Sequence, residues 1–159
     1  MESSLILALS FLFLVTGCAH NISNKSLAMV DRTVTFDKLL ENPDAYSGKF
    51  VVFGGKIGAA LKTPEGTVLE IIQHDLDGRE LPDETIASRG RFLALTPDSL
   101  NITMCRSSRL LSIAGVVAGK KVQQLKGVDY VYPLINVREL HLFPLPDEDS
   151  FGVWVPYLP

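Results

Sequence analysis

Short β-prone segments divided by turn residues recur from Lys49 to Phe143, and this rhythm limits the folds open to the chain. Residues 50–53 are apolar on both faces and predict a central strand. Gly54-Gly55 follows, a place for a bulge or sharp bend, and Ile57 resumes the strand. Thr63-Pro64-Glu65-Gly66 reads as a turn. Residues 67–73 then alternate Leu69 and Ile71 with Val68 and Ile72. A polar connection over 75–88 leads to a short strand at 91–95 and a further connection at 96–108. Residues 109–118 are strand-like and end at Gly119-Lys120-Lys121; residues 129–143 are β-prone and interrupted at Pro133, which must sit at an edge or a bulge. Ahead of them, residues 34–41 predict one short helix. Thr35 caps it, Asp37 suits its first turn, Phe36, Leu39 and Leu40 share a face, and Asn42-Pro43 stops it. The expected class is mainly β: a five- to six-stranded antiparallel barrel of the oligomer-binding (OB) type with one short N-terminal helix. A two-sheet sandwich is the alternative.

The N-terminus carries a different signal. Residues 5–15 form an apolar run closed by Thr16-Gly17-Cys18. As a helix the run would rise about 16 Å, too little for a hydrocarbon layer of about 30 Å. It has no polar face and fits the core of a secretory signal cut after small residues. Val15-Thr16-Gly17-Cys18 resembles the bacterial lipobox, which implies cleavage between Gly17 and Cys18 and a thioether-linked diacylglycerol on Cys18. The start Met1-Glu2-Ser3-Ser4 departs from the pattern, because it lacks Lys and Arg. The alternative is a buried N-terminal helix with Cys18 as a core thiol. Ala19, where an aspartate would hold such a protein in the inner membrane, favours the outer membrane. Two hydrocarbon chains make a stable anchor, at about 0.8 kcal/mol per buried methylene. The expected organisation is a signal at 1–17, a lipidated flexible tether at 18–32, the barrel at 33–145 and an aromatic, proline-rich tail at 146–159.

Charge is mixed along the chain, with 15 Lys and Arg against 18 Asp and Glu and no basic block. Nucleic acid is therefore not an expected partner, nor is an anionic surface held by charge alone. With Cys18 acylated, Cys105 has no partner for a disulfide. Cys105 beside Arg106 reads as an inert thiol in preference to an activated one. His74-Asp75 at a strand end, with Ser88 nearby in sequence, is the one arrangement that suggests nucleophilic chemistry. A solvated histidine is the plainer reading, and His141 should point outward. Asp75, Asp77, Glu80, Asp83 and Glu84 lack the order of a calcium loop and read as a solvated acidic loop. Arg89 and Arg91 flank Gly90 and either contact an anionic ligand or pair with that loop. Trp154, in the tail, is a third candidate contact; packing of the tail across an open barrel edge is the alternative. No catalytic residue, metal or cofactor is expected beyond the lipid on Cys18.

Taken in order, Asn42-Pro43-Asp44-Ala45-Tyr46-Ser47-Gly48-Lys49, Phe53-Gly54-Gly55-Lys56-Ile57, Thr67-Val68-Leu69-Glu70-Ile71, Leu76-Asp77, Gly90-Arg91-Phe92-Leu93-Ala94, Gly115-Val116-Val117-Ala118-Gly119 and Tyr130-Val131-Tyr132-Pro133-Leu134 resemble the Slp family of outer-membrane lipoproteins. The resemblance implies a lipoprotein on the periplasmic side of a Gram-negative outer membrane, attached through Cys18. Founding members of the family are induced by starvation or in stationary phase. It brings no established reaction. The expected role is non-enzymatic, binding or structural, with an envelope protein or glycan as partner. A periplasmic glycan- or peptide-binding module is the alternative, and an envelope hydrolase using His74 or Asp75 is a third reading.

Overall fold

The computed structural model describes residues 20–97 and 100–145. The apolar run, Gly17, Cys18 and Trp154 lie outside them. Five strands close a barrel: β1 Phe50–Thr63, β2 Gly66–His74, β3 Arg91–Thr96, β4 Leu110–Leu125 and β5 Val128–Leu142. Their order around the barrel is β1-β2-β3-β5-β4, with β4 returning to β1. Closure pairs the edges that an open sheet would expose, and it sets the sandwich aside. The ladders are antiparallel except β3–β5, which is parallel. The expectation of antiparallel pairing throughout is corrected there. β4 makes a hairpin with β5 and also closes on β1, so β5 comes to lie beside β3 running the same way.

β1 is long because it serves two neighbours. Its residues 50–56 pair with β4 and its residues 54–63 with β2, so Gly54-Gly55 sits where both ladders overlap. A methyl on Gly54 would lie 2.6 Å from the Leu111 carbonyl oxygen, and one on Gly55 would collide with the Ile72 carbonyl. The glycines permit close backbone approach at the bend. The register shift itself lies further on, between Ile57 and Ala59. Pro133 meets the edge alternative: it pairs with Lys120 on one side, and pairing with β3 starts only at Leu134, while the nearby register shift lies on β4 between Val117 and Gly119.

The barrel interior is filled. Ile57, Leu69, Ile71, Phe92, Leu111, Ile113 and Ile135 are fully buried. The helix α2, Phe36–Glu41, inserts Phe36 and Leu39, and the Phe36 ring meets those of Phe53 and Phe92 edge-on at 5.4 and 5.9 Å. Thr35 caps this helix through the Lys38 N–H, as the sequence predicts. Cys105 and Leu100, from the β3–β4 connection, join the same core.

Two regions depart from expectation. The β4–β5 hairpin continues past Lys121 to a turn at Lys126-Gly127, and it exposes Val122 and Val128. Its arms have little buried face, so they carry no alternation to read. The flexible tether expected over 18–32 is corrected across its described part. Residues Asn24–Met29 form a helix, α1, and Ile22 is fully buried. A helix of six residues is too short to stand alone in water; its support comes from distant side chains, described next.

Candidate functional site

The N-terminal segment is strapped to the barrel by two glutamates. Glu80, in the β2–β3 connection, meets His20 Nδ1 at 2.9 Å and accepts the Asn21 N–H at 3.1 Å; the Asn21 side-chain amide donates to the Arg79 carbonyl. Glu80 is itself buried, and its carbonyl accepts the Ser112 hydroxyl of β4. Glu139, on β5, accepts the Ser23 N–H at 2.7 Å and the hydroxyls of Ser23 and Ser26 at 2.8 and 2.6 Å. The strap ends where Asp31 pairs with Lys49 at 2.8 Å and donates its N–H to the Phe50 carbonyl.

Both strap carboxylates with shifted values respond to acid in the same sense. Burial pushes the Glu139 carboxyl up, but the Ser26 hydroxyl and the Ser23 N–H and hydroxyl outweigh it and hold the group below its ordinary range. The Lys49 ammonium, followed by the Thr33 hydroxyl and N–H, holds the Asp31 carboxyl well below the usual carboxylate range. A depressed folded value means that the contribution is present above the unfolded value of about 4 and is lost as pH falls through the folded one. Amide protection across residues 22–29 should therefore fall as pH drops below about 4, ahead of the barrel strands. Glu139→Gln should remove most of that dependence, as read by hydrogen-exchange protection factors. Equal loss in strap and strands would contradict it.

The residues nominated for chemistry are dispersed. His74 is buried, not solvated, because its Nδ1 lies 3.2 Å from the Ile86 carbonyl in the folded-back connection. The Ser88 hydroxyl donates to the Gly90 carbonyl instead. The acidic connection is not freely solvated either. Asp77 Oδ1 accepts the N–H groups of Arg79 and Leu81, Asp83 accepts from Thr85, Glu84 pairs with Lys56, and Glu80 holds the strap. Among the described residues no group of three or more His, Cys, Asp or Glu is placed to hold a metal ion. Burial pushes the Cys105 thiol up, and the Arg109 guanidinium only partly offsets it; an activated thiolate is not what this site builds.

Arg89 and Arg91 take separate carboxylates. Arg89 bridges Asp37 at 2.6 Å and Asp75 at 3.0 Å, which ties α2 to the acidic connection. Arg91 turns along the sheet to Glu70 at 2.5 Å, and the Tyr132 hydroxyl lies 3.4 Å from the same carboxylate. Tyr130 accepts the Arg91 N–H at 3.0 Å and packs on Tyr132 with ring centroids 4.5 Å apart. Burial first, then Glu70, pushes the Tyr132 hydroxyl up. These tyrosines, which the sequence marks only within a motif of the family resemblance, cover part of the β2–β3 face. The signal was there in Tyr130 and Tyr132 at strand spacing, one face of β5.

What remains open on that side is a groove of about 220 Å³ lined by Thr63, Glu65, Val68, Leu95, Lys121 and Leu134. Its floor is aliphatic. Glu65 and Lys121 stand at its rim, and the Glu65 carboxyl is lowered by its own backbone N–H, then by the Thr63 hydroxyl, with Lys121 adding to it.

Two solved structures of similar outline are single-stranded DNA-binding proteins. The mitochondrial protein Rim1 of S. cerevisiae shares 12% identity over 60% of this chain and 94% of its own, with a TM-score of 0.40. A small protein from Streptomyces coelicolor shares 8% identity over the same fractions, with a TM-score of 0.37. Among curated protein sequences none matches the chain. A match to the outer membrane lipoprotein Slp family spans residues 15–158, which takes in the whole barrel and Cys18. The chain belongs to the Slp family of outer-membrane lipoproteins.

Proposed function

We propose that residues 1–17 are removed as a signal, that Cys18 carries diacylglycerol and an amide-linked fatty acid, and that the barrel faces the periplasm. The observation that carries this reading is the family match, which begins at residue 15 and so includes the small-residue and cysteine motif. The barrel then serves a non-enzymatic role in the envelope, binding or supporting a partner. In support, the candidate catalytic groups His74, Ser88, Asp75 and Cys105 each take unrelated partners or a core position. Labelled palmitate should enter the wild-type protein and not Cys18→Ser, which should leave the membrane fraction. Membrane retention of that variant, without label in the wild type, would discard the anchor.

A second reading has one observation behind it, the groove between the β1–β2 turn and β5. Among the described residues no aromatic side chain lines it, so these offer no ring for a sugar to stack on. Its aliphatic floor and opposed rim charges suit a side chain of a peptide better than a glycan. A photocrosslinker at Leu95 in intact cells should capture a protein if the groove is used. Capture that is unchanged by Lys121→Glu would count against it.

A further inference from the structure

The strap fixes which surface of the barrel meets the lipid, an inference that rests on the Cys18 anchor proposed above. Cys18 stands two residues before His20, and two extended residues reach no more than about 7 Å. His20 and Asn21 are held by Glu80 and Arg79 of the β2–β3 connection, and Ile22 is buried just after them. A long free tether would leave the orientation open; here almost no slack remains between the acyl chains and residues 75–90. That connection also exposes two large apolar side chains, Leu81 at 39% and Ile86 at 45%. Its carboxylates are engaged internally by Arg89, Lys56, His20 and backbone N–H groups.

We propose that the β2–β3 connection is the lipid-contact surface of the barrel, with Leu81 and Ile86 reaching the headgroup layer of a phospholipid leaflet. β2 runs Gly66–His74, so the β1–β2 turn and its groove lie about 26 Å along the strand from this surface, at roughly 3.3 Å per residue. The groove is thereby directed away from the membrane. The connection carries no basic cluster, so docking needs no anionic lipid.

The test uses the full acylated protein, its lipid checked by intact mass, in phosphatidylethanolamine–phosphatidylcholine vesicles containing doxyl-labelled lipid. A bimane fluorophore is placed at Leu81→Cys or Ile86→Cys, and for comparison at Leu61→Cys or Glu65→Cys; Cys105 is buried, and labelled wild type serves as the blank. Quenching at 81 and 86 should exceed that at 61 and 65 by at least about threefold, as expected for side chains that enter the headgroup boundary. The Glu80→Ala/Glu139→Ala double variant should stay on the vesicles and lose that difference. Uniform quenching, stronger quenching at 61 or 65, or a difference that survives release of the strap would overturn the docking surface while leaving the anchor intact. A mass without acyl chains would overturn the anchor itself, and the docking surface with it.

Discussion

Phe92→Ala should destabilise the barrel by about 3–5 kcal/mol, the range for truncating a buried aromatic. Phe92 is fully buried, and its ring meets Phe36 of α2 at 5.9 Å and Phe53 of β1 at 6.3 Å. Its removal takes away a large apolar surface and leaves a cavity between a helix and two strands. Each of those elements is fixed by other contacts, so the space cannot readily collapse. A domain of ordinary stability has about 5–15 kcal/mol in hand, so the variant should be marginal near room temperature. Urea unfolding would show the midpoint falling steeply at nearly constant slope. Val128→Ala, on the exposed hairpin arm, should stay within about 0.5 kcal/mol. A loss below about 1 kcal/mol for Phe92→Ala would mean that the aromatic cluster does not hold α2 in the barrel mouth.

Gly55→Ala is the second large effect. The added methyl would strike the Ile72 carbonyl, a backbone atom of the paired strand β2. Gly55 is paired at once with Gln73 of β2 and Leu111 of β4. A flexible side chain could swing aside, but a ladder carbonyl held between two strands cannot. Either the β1–β2 ladder parts or β1 straightens and closure suffers. Overpacking typically costs about 1–3 kcal/mol, and the backbone target puts this case at the upper end or beyond. Gly127→Ala is a useful contrast, because nothing lies within 4 Å of its added methyl; the cost there should come from a φ of +83° alone. If both variants unfold at the same denaturant concentration, steric closure at Gly55 is not what shapes the barrel.

The barrel was legible in the sequence for reasons that are local. Alternation in β2, two apolar faces at the start of β1, the Thr35 cap and the Asn42-Pro43 stop each act within a few residues. The parallel β3–β5 ladder was not legible, because strand order depends on where β4 closes. The strap was hidden for a related reason. Ser23 and Ser26 look like linker residues until Glu139, more than a hundred positions later, accepts their protons. The acidic connection looked solvated because its carboxylates carry no mark of their internal partners. Arg89 did pair with it, through Asp75, and added Asp37; Arg91 chose Glu70. The tyrosine pair beside Glu70 was legible only as part of a family motif, not as site residues, because a strand register is needed to put Tyr132 over β2.

The central claim is that this barrel is held at the outer membrane through Cys18. Mass spectrometry of the N-terminal peptide, from protein extracted from outer membranes, tests it most directly. The account predicts a chain that starts at Cys18, with a diacylglyceryl group on sulfur and a fatty acid on the amine. A chain that keeps residues 1–17, or an unmodified Cys18, would contradict it.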